Sequence, residues 1–118
     1  FKRYLDLAKL LGVRTAVIRD NDGDHQKNCV DNYTDHTMPH AKVFADTDSK
    51  QRTTFEICLY EDNRTACNEV FCKPKRKLEP LAYMLANKAD AAFDLLLEKE
   101  AELVAPGYIQ EAIKWINE

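Results

Sequence analysis

The stretch LGVRTAVIRDNDGD, residues 11–24, decides how the chain is read. Val13 to Ile18 is short, rich in β-branched residues and nearly all apolar. Gly12 precedes it and the turn-forming Asp20-Asn21-Asp22-Gly23-Asp24 follows, which predicts a strand buried on both faces of a parallel sheet. Upstream, residues 1–11 (FKRYLDLAKLL) place Tyr4, Leu7, Ala8 and Leu11 at helical spacing, with Gly12 as the C-cap. Helix, tight turn, buried strand and acidic loop are the grammar of an α/β fold.

Working outward, Lys42 to Ala45 is the next strand, and a short helix around Gln26 to Tyr33 lies between the two. Thr53 or Thr54 is placed to cap a helix that starts at Phe55, because a hydroxyl oxygen can accept from the free amides of a first turn. Arg64 to Cys72 reads as a short helix, Lys73 to Lys77 as a basic turn, and Leu78 to Leu103 as strongly helical. The apolar face of this last stretch is expected at Leu81, Leu85, Ala89, Ala92, Phe93 and Leu96. Pro106 opens a final helix, Gly107 to Asn117, with Ile109, Ile113 and Ile116 as its stripe and Trp115 off to one side. The resulting fold class is α/β: a small, mainly parallel sheet flanked by helices, with a helical C-terminal portion.

The chain has 118 residues, 45% of them hydrophobic, with only three Gly and four Pro, so it reads as one domain with a real core and not as a disordered chain. No apolar run approaches the roughly 20 residues that a membrane helix needs, so no membrane partner is expected and the location is read as cytoplasmic. Cys29, Cys58, Cys67 and Cys72 form no Cys-x-x-Cys pair and are read as reduced thiols, mostly packed inside. Since residue 1 already falls within a helical pattern, the chain is read as a fragment whose first strand lies upstream.

The net charge of -3 argues against a general nucleic-acid coat but leaves a local metal site open. From residue 20 to residue 48 seven Asp face only Lys27 and Lys42. Asp20 and Asp22 leave the carboxyl end of a strand, where ligands bind in open α/β sheets. In an extended turn they would share one side, and such carboxylates repel unless a hard divalent cation sits between them. An Asx-rich turn capping a helix from about Asp24 accounts for the same residues without a ligand. His25 at the sixth loop position, Asp31 at the twelfth and a preceding strand argue against an EF-hand. A haloacid-dehalogenase-like phosphatase also carries Asp-x-Asp after a buried strand, but a chain this short has no room for its further motifs.

A third chemistry is that of the TOPRIM domain. Lys9 to Gly12 running into Thr15 to Asp22, then Val43-Phe44, Thr54-Phe55-Glu56 and Asn87-Lys88-Ala89-Asp90-Ala91-Ala92-Phe93 together resemble the C-terminal TOPRIM region of the OLD (overcoming lysogenization defect) family of ATP-dependent endonucleases. The resemblance implies a Rossmann-like TOPRIM fold and Mg²⁺- or Mn²⁺-dependent cleavage of DNA. It also implies ATP use only through a separate ATPase domain of the full-length protein. Carried over by motif, Asp20 and Asp22 would be metal ligands, Glu56 a further acidic metal-site residue, and Lys88 a positive group beside the scissile phosphate. The family's acidic Glu-Gly motif at the end of the preceding strand is missing here.

Each residue also has a plainer role: Lys88 as a solvated helix lysine, and Glu56 as a first-turn Glu favoured by the helix dipole. Lys73 to Lys77 could meet DNA phosphates or be a solvated turn. His25, His36 and His40 are read as loop residues, since Pro39 breaks the helix that would align the last two. Tyr60, Tyr83, Phe93 and Trp115 are read as core or interface. The rival to the nuclease is a non-catalytic module with a structural acidic loop, whose apolar helices serve self-association, with a homodimer left open, or docking.

Overall fold

The computed structural model describes residues 2–118, so Phe1 lies outside the described residues. The chain is mixed α/β and divides into two compact units, one built from residues 1–54 and 107–118 and the other from Phe55–Pro106.

In the first unit, helix α1 (Lys2–Leu11) ends as the sequence predicts. Gly12 is left-handed at φ +65°. Its amide donates to the Lys9 carbonyl at 3.3 Å and that of Val13 to the Ala8 carbonyl at 3.0 Å, the paired bonds of a Schellman motif. Strand β1 (Thr15–Ile18) then pairs in parallel with β2 (Ala41–Phe44), in the register Thr15 with Ala41 through Ile18 with Phe44. The amides of Thr15 and Arg19 extend the ladder to the carbonyls of His40 and Phe44. Parallel neighbours need a long crossover. Residues 19–40 supply it, with a π-helical turn at Gln26–Val30 and a 3-10 turn at Asp31–Tyr33 where the short helix was expected.

Leu5, Val17, Tyr33 and Ala41 form the core on one face of the sheet, joined by Met38 and Val43. Lys42 and Phe44 alternate to the other face, where helix α6 (Gly107–Ile116) packs. There Trp115 meets the Phe44 ring at 5.7 Å between centroids and lies under the Arg14 guanidinium at 4.3 Å. The strand is less enclosed than expected: Val17 is buried, but Ile18 is exposed.

The second unit is helical: α2 (Phe55–Asp62), α3 (Arg64–Phe71), α4 (Pro80–Ala86) and α5 (Lys88–Lys99). Leu59, Cys67, Val70, Phe71, Met84, Ala91 and Leu95 make its core. Buried Asn63 ties the α2–α3 turn to the end of the unit, donating to the carbonyls of Leu59 (2.9 Å) and Val104 (2.8 Å) and accepting from the Val104 amide (2.7 Å). In the basic turn Arg76 is structural: it donates to the Phe71 carbonyl and stacks on Tyr83, 3.7 Å from the ring centroid.

Helix faces are where the structure corrects the sequence reading. Leu78 to Leu103 is not one helix. Asn87 adopts φ -134°, and both its backbone amide (2.9 Å) and its side-chain amide (3.0 Å) donate to the Tyr83 carbonyl where α4 ends. Helix α5 restarts with Ala91 and Leu95 inward, leaving Phe93, Leu96 and Leu97 exposed. In α6 the buried residues are Tyr108, Ala112 and Trp115, while Ile113 and Ile116 are exposed, so Trp115 anchors the helix instead of lying to one side. In α1 Leu5 and Ala8 are buried, while Tyr4, Leu7 and Leu11 face out. Thr54 does precede α2, but its buried hydroxyl has no hydrogen-bond partner and therefore does not cap it. All four cysteines are free; Cys72 is exposed and the rest are buried, with burial pushing the Cys67 thiol up to about 11.

Candidate functional site

Two acidic loops leave the carboxyl ends of the two parallel strands, residues 19–25 after β1 and 45–54 after β2. Their junction is Asn21, only 1% exposed. Its side-chain amide donates to three backbone carbonyls of the second loop, those of Asp46 (2.8 Å), Asp48 (3.2 Å) and Arg52 (2.9 Å). Its side-chain oxygen accepts from the Gly23 amide at 2.9 Å. All the hydrogen-bonding capacity of the NH₂ group is used, as burial requires. Pulling Asn21 inward makes a tight turn in which Asp22 is left-handed (φ 51°) and Gly23 follows at φ 84°. The extended geometry expected for Asp20 and Asp22 is replaced by this turn. The Asp22 amide donates to the Thr53 carbonyl and the His25 amide to the Ser49 hydroxyl, adding two further stitches between the loops.

Arg19 orders the same turn. It donates from Nε to the Asp20 carbonyl (2.9 Å), from Nη1 to the Tyr33 hydroxyl (3.2 Å) and from Nη2 to the Asp22 carboxylate (2.9 Å). Burial works against its charge, but the Tyr33 and Asp22 contacts outweigh that and raise its pKa. Asp24 accepts from the Lys27 amide at 3.0 Å, so the Asx-cap expected from about Asp24 is present. In the second loop Asp46 pairs with Arg52 at 2.7 Å. Backbone amides of Gln51 and Lys50 hold the Asp48 carboxyl below its usual range.

Glu56 and Lys88 come together in the helical unit. Glu56 sits in the first turn of α2 and Lys88 at the start of α5, with Lys88 Nζ 3.2 Å from Glu56 Oε2. The Glu56 side chain is 12% exposed, its Oε2 is buried without a hydrogen bond, and Lys88 is more than half exposed. Asp20 and Asp22 belong to the other unit. Among the described residues no group of three or more His, Cys, Asp or Glu side chains is arranged to hold a metal ion. The histidines are not clustered either; His36 pairs with Asp6 at 3.1 Å.

Sequence reasoning singled out the carboxylates and passed over Asn21 and Arg19, which organise them. The available signal was an Asn between two Asp at a strand exit, a residue able both to donate and to accept. Comparison with known proteins found no matching family model, no matching curated relative and no matching solved structure.

Proposed function

We propose that this chain is the TOPRIM-like nuclease domain of an OLD-type ATP-dependent endonuclease, hydrolysing DNA phosphodiester bonds with Mg²⁺ or Mn²⁺. The observation that carries the reading is an acidic turn at the carboxyl end of a parallel strand, braced by a second acidic loop from its neighbour. Asp20 and Asp22 offer hard carboxylate oxygens, and Mg²⁺ characteristically binds through one or two carboxylates while keeping several waters. The donor chemistry therefore fits that ion. Glu56 and Lys88, which pair with each other in the helical unit, enter the reading as an acidic residue and a phosphate-steadying charge on the motif resemblance alone. A bound metal would supply Lewis acidity and a nucleophilic water. The partners on this reading are DNA and an ATPase domain elsewhere in the same protein, in the cytoplasm. No described helix is long and apolar enough to cross a membrane.

Titrating the chain with Mn²⁺ should broaden the NMR signals of residues 19–25. The variant Asp20→Ala/Asp22→Ala should lose most of that broadening. Equal broadening in both proteins would place any metal elsewhere.

A second reading, an interaction module that self-associates, is favoured by the outward apolar faces of α1 and α5: Leu10 is 84% exposed, Tyr4 76% and Leu97 68%. It predicts a homodimer in sedimentation velocity that Leu97→Glu or Leu10→Glu weakens at least tenfold. A monomer at millimolar concentration would dismiss it.

A further inference from the structure

We propose that the open edge of β1 pairs with the same edge of a second copy of this chain, antiparallel about a two-fold axis at Val17, joining the two small sheets into one. The inference rests on the self-association reading above and names its surface. The sheet has two strands, so each has an outer edge with no strand beside it. At β2 that edge is closed by the crossover, where Met38 and Ala41 exchange both of their backbone bonds. At β1 it is open. The amides of Thr15 and Arg19 point to the carbonyls of His40 and Phe44, so alternation along the strand turns the N–H and C=O of Ala16 and Ile18 the other way. There no described residue bonds to them. Strand edges are ordinarily blunted by a charge, a proline or a bulge. Residues 15–18, Thr-Ala-Val-Ile, carry none of these.

Both faces of the sheet are apolar beside this edge. On one, Tyr4 and Leu5 of α1 line a groove of about 320 Å³ with Thr15–Ile18, and exposed Leu7 and Leu11 follow Tyr4 along the same side of the helix. On the other, α6 starts beside Ala45–Thr47 and ends with Glu118 3.9 Å from Arg14, so it crosses from β2 to β1. Ile113 and Ile116 lie on the side of α6 turned away from Glu111 and the β2 loop, and both are exposed, as is Ile18 on the same face of the sheet. An extended peptide would satisfy Ala16 and Ile18 but leave both helical shoulders in water. A body with helices on both faces of its own sheet covers them, and a second copy is such a body.

The charges match as well. Across the two-fold, outward-facing residues meet outward-facing residues: Ala16 stands against Ile18 of the second copy, each such pair exchanging both its bonds, with Val17 against Val17 at the axis. The next outward positions are Arg14 and Asp20, so opposite charges face each other at both ends of the joint. A register centred on Ala16 would set Arg14 against Ile18, and one centred on Ile18 would set Asp20 against Ala16. Of the three, only the register centred on Val17 matches charge with charge and apolar with apolar.

Sedimentation equilibrium on the 118-residue chain should show a dimer. Ile18→Lys, which puts charge on the edge, and Ala16→Pro, which removes an outward N–H without touching the ladder to β2, should each raise its dissociation constant at least tenfold. In the parent chain, hydrogen exchange of the Ala16 and Ile18 amides should slow about tenfold as the concentration is raised through dimerisation, while that of Val17, already in the ladder to β2, changes little. That measurement decides the matter even if neither variant folds. A parental dissociation constant in folded Ile18→Lys or Ala16→Pro, or Ala16 and Ile18 amides that exchange in the dimer as they do in the monomer, overturns the edge pairing and leaves self-association through another face standing. A chain that is still monomeric at millimolar concentration overturns both, and leaves the edge to an extended segment of a different protein.

Discussion

If the proposed nuclease reading holds, Lys88→Ala is expected to lower metal-dependent DNA cleavage by about a hundredfold or more, with DNA affinity changed far less. A positive group aimed at charge that develops on the phosphate acts in the chemical step, and loss of one such donor typically costs that much in kcat. The ion pair with Glu56 supplies the competing explanation and its signature. If Lys88 served only to neutralise Glu56, its removal would lower stability, by about 1 kcal/mol or less given how exposed the lysine is, and leave kcat alone. Lys88→Arg separates the two further: it preserves the charge against Glu56, whereas an altered reach should still slow cleavage. Cleavage by Lys88→Ala at the parental rate would remove Lys88 from the mechanism.

Phe71→Ala should destabilise the helical unit by about 3–5 kcal/mol, enough to lower its Tm by roughly 12–40 °C. Phe71 is fully buried and its ring centroid lies 5.2 Å from that of Tyr83, which in turn carries the Arg76 guanidinium. Truncation therefore opens a cavity and loosens the platform beneath the basic turn. The comparison is Phe93→Ala: Phe93 is 61% exposed, and its loss should stay within about 0.5 kcal/mol. Thermal unfolding followed by helical circular dichroism reads both. A Phe71→Ala variant within 1 kcal/mol of the parent would mean that the core is not organised around this ring.

The contrast between Phe71 and Phe93 shows what the sequence made legible and what it did not. The strand at Thr15–Ile18, its parallel partner and the Gly12 stop are set by local chemistry: β-branched runs, a left-handed glycine and a crossover too long for a hairpin. Those were readable. Inward faces of helices were not, because α1 and α5 carry apolar residues around more than half of their circumference and α6 around nearly half. Periodicity then marks an apolar face without saying which part of it packs inward. The break at Asn87 compounds this by resetting the phase of α5, at a residue that looks like any other Asn in sequence. At the acidic loop the same ambiguity runs the other way. Asn21 resembles a polar turn residue in a run of Asp, yet it is the buried member of the turn, with Asp20 half-buried and Asp22 exposed. Only the meeting of two loops 25 or more residues apart distinguishes them.

The final helix closes the sheet from a long way off in the chain. Residues 1–54 and 107–118 form one unit, with the 52-residue helical segment between them, and α6 lays Trp115 on Phe44. On the ribosome, strands β1 and β2 therefore emerge well before the helix that shields one of their faces. Translation proceeds at about 5–20 residues per second, so that face stays uncovered for several seconds. In that interval the helical segment can already condense, since its core draws only on residues between Leu59 and Leu95 and on neighbours in the same segment. The helical segment is thus synthesised in full before α6, whose arrival completes the sheet unit.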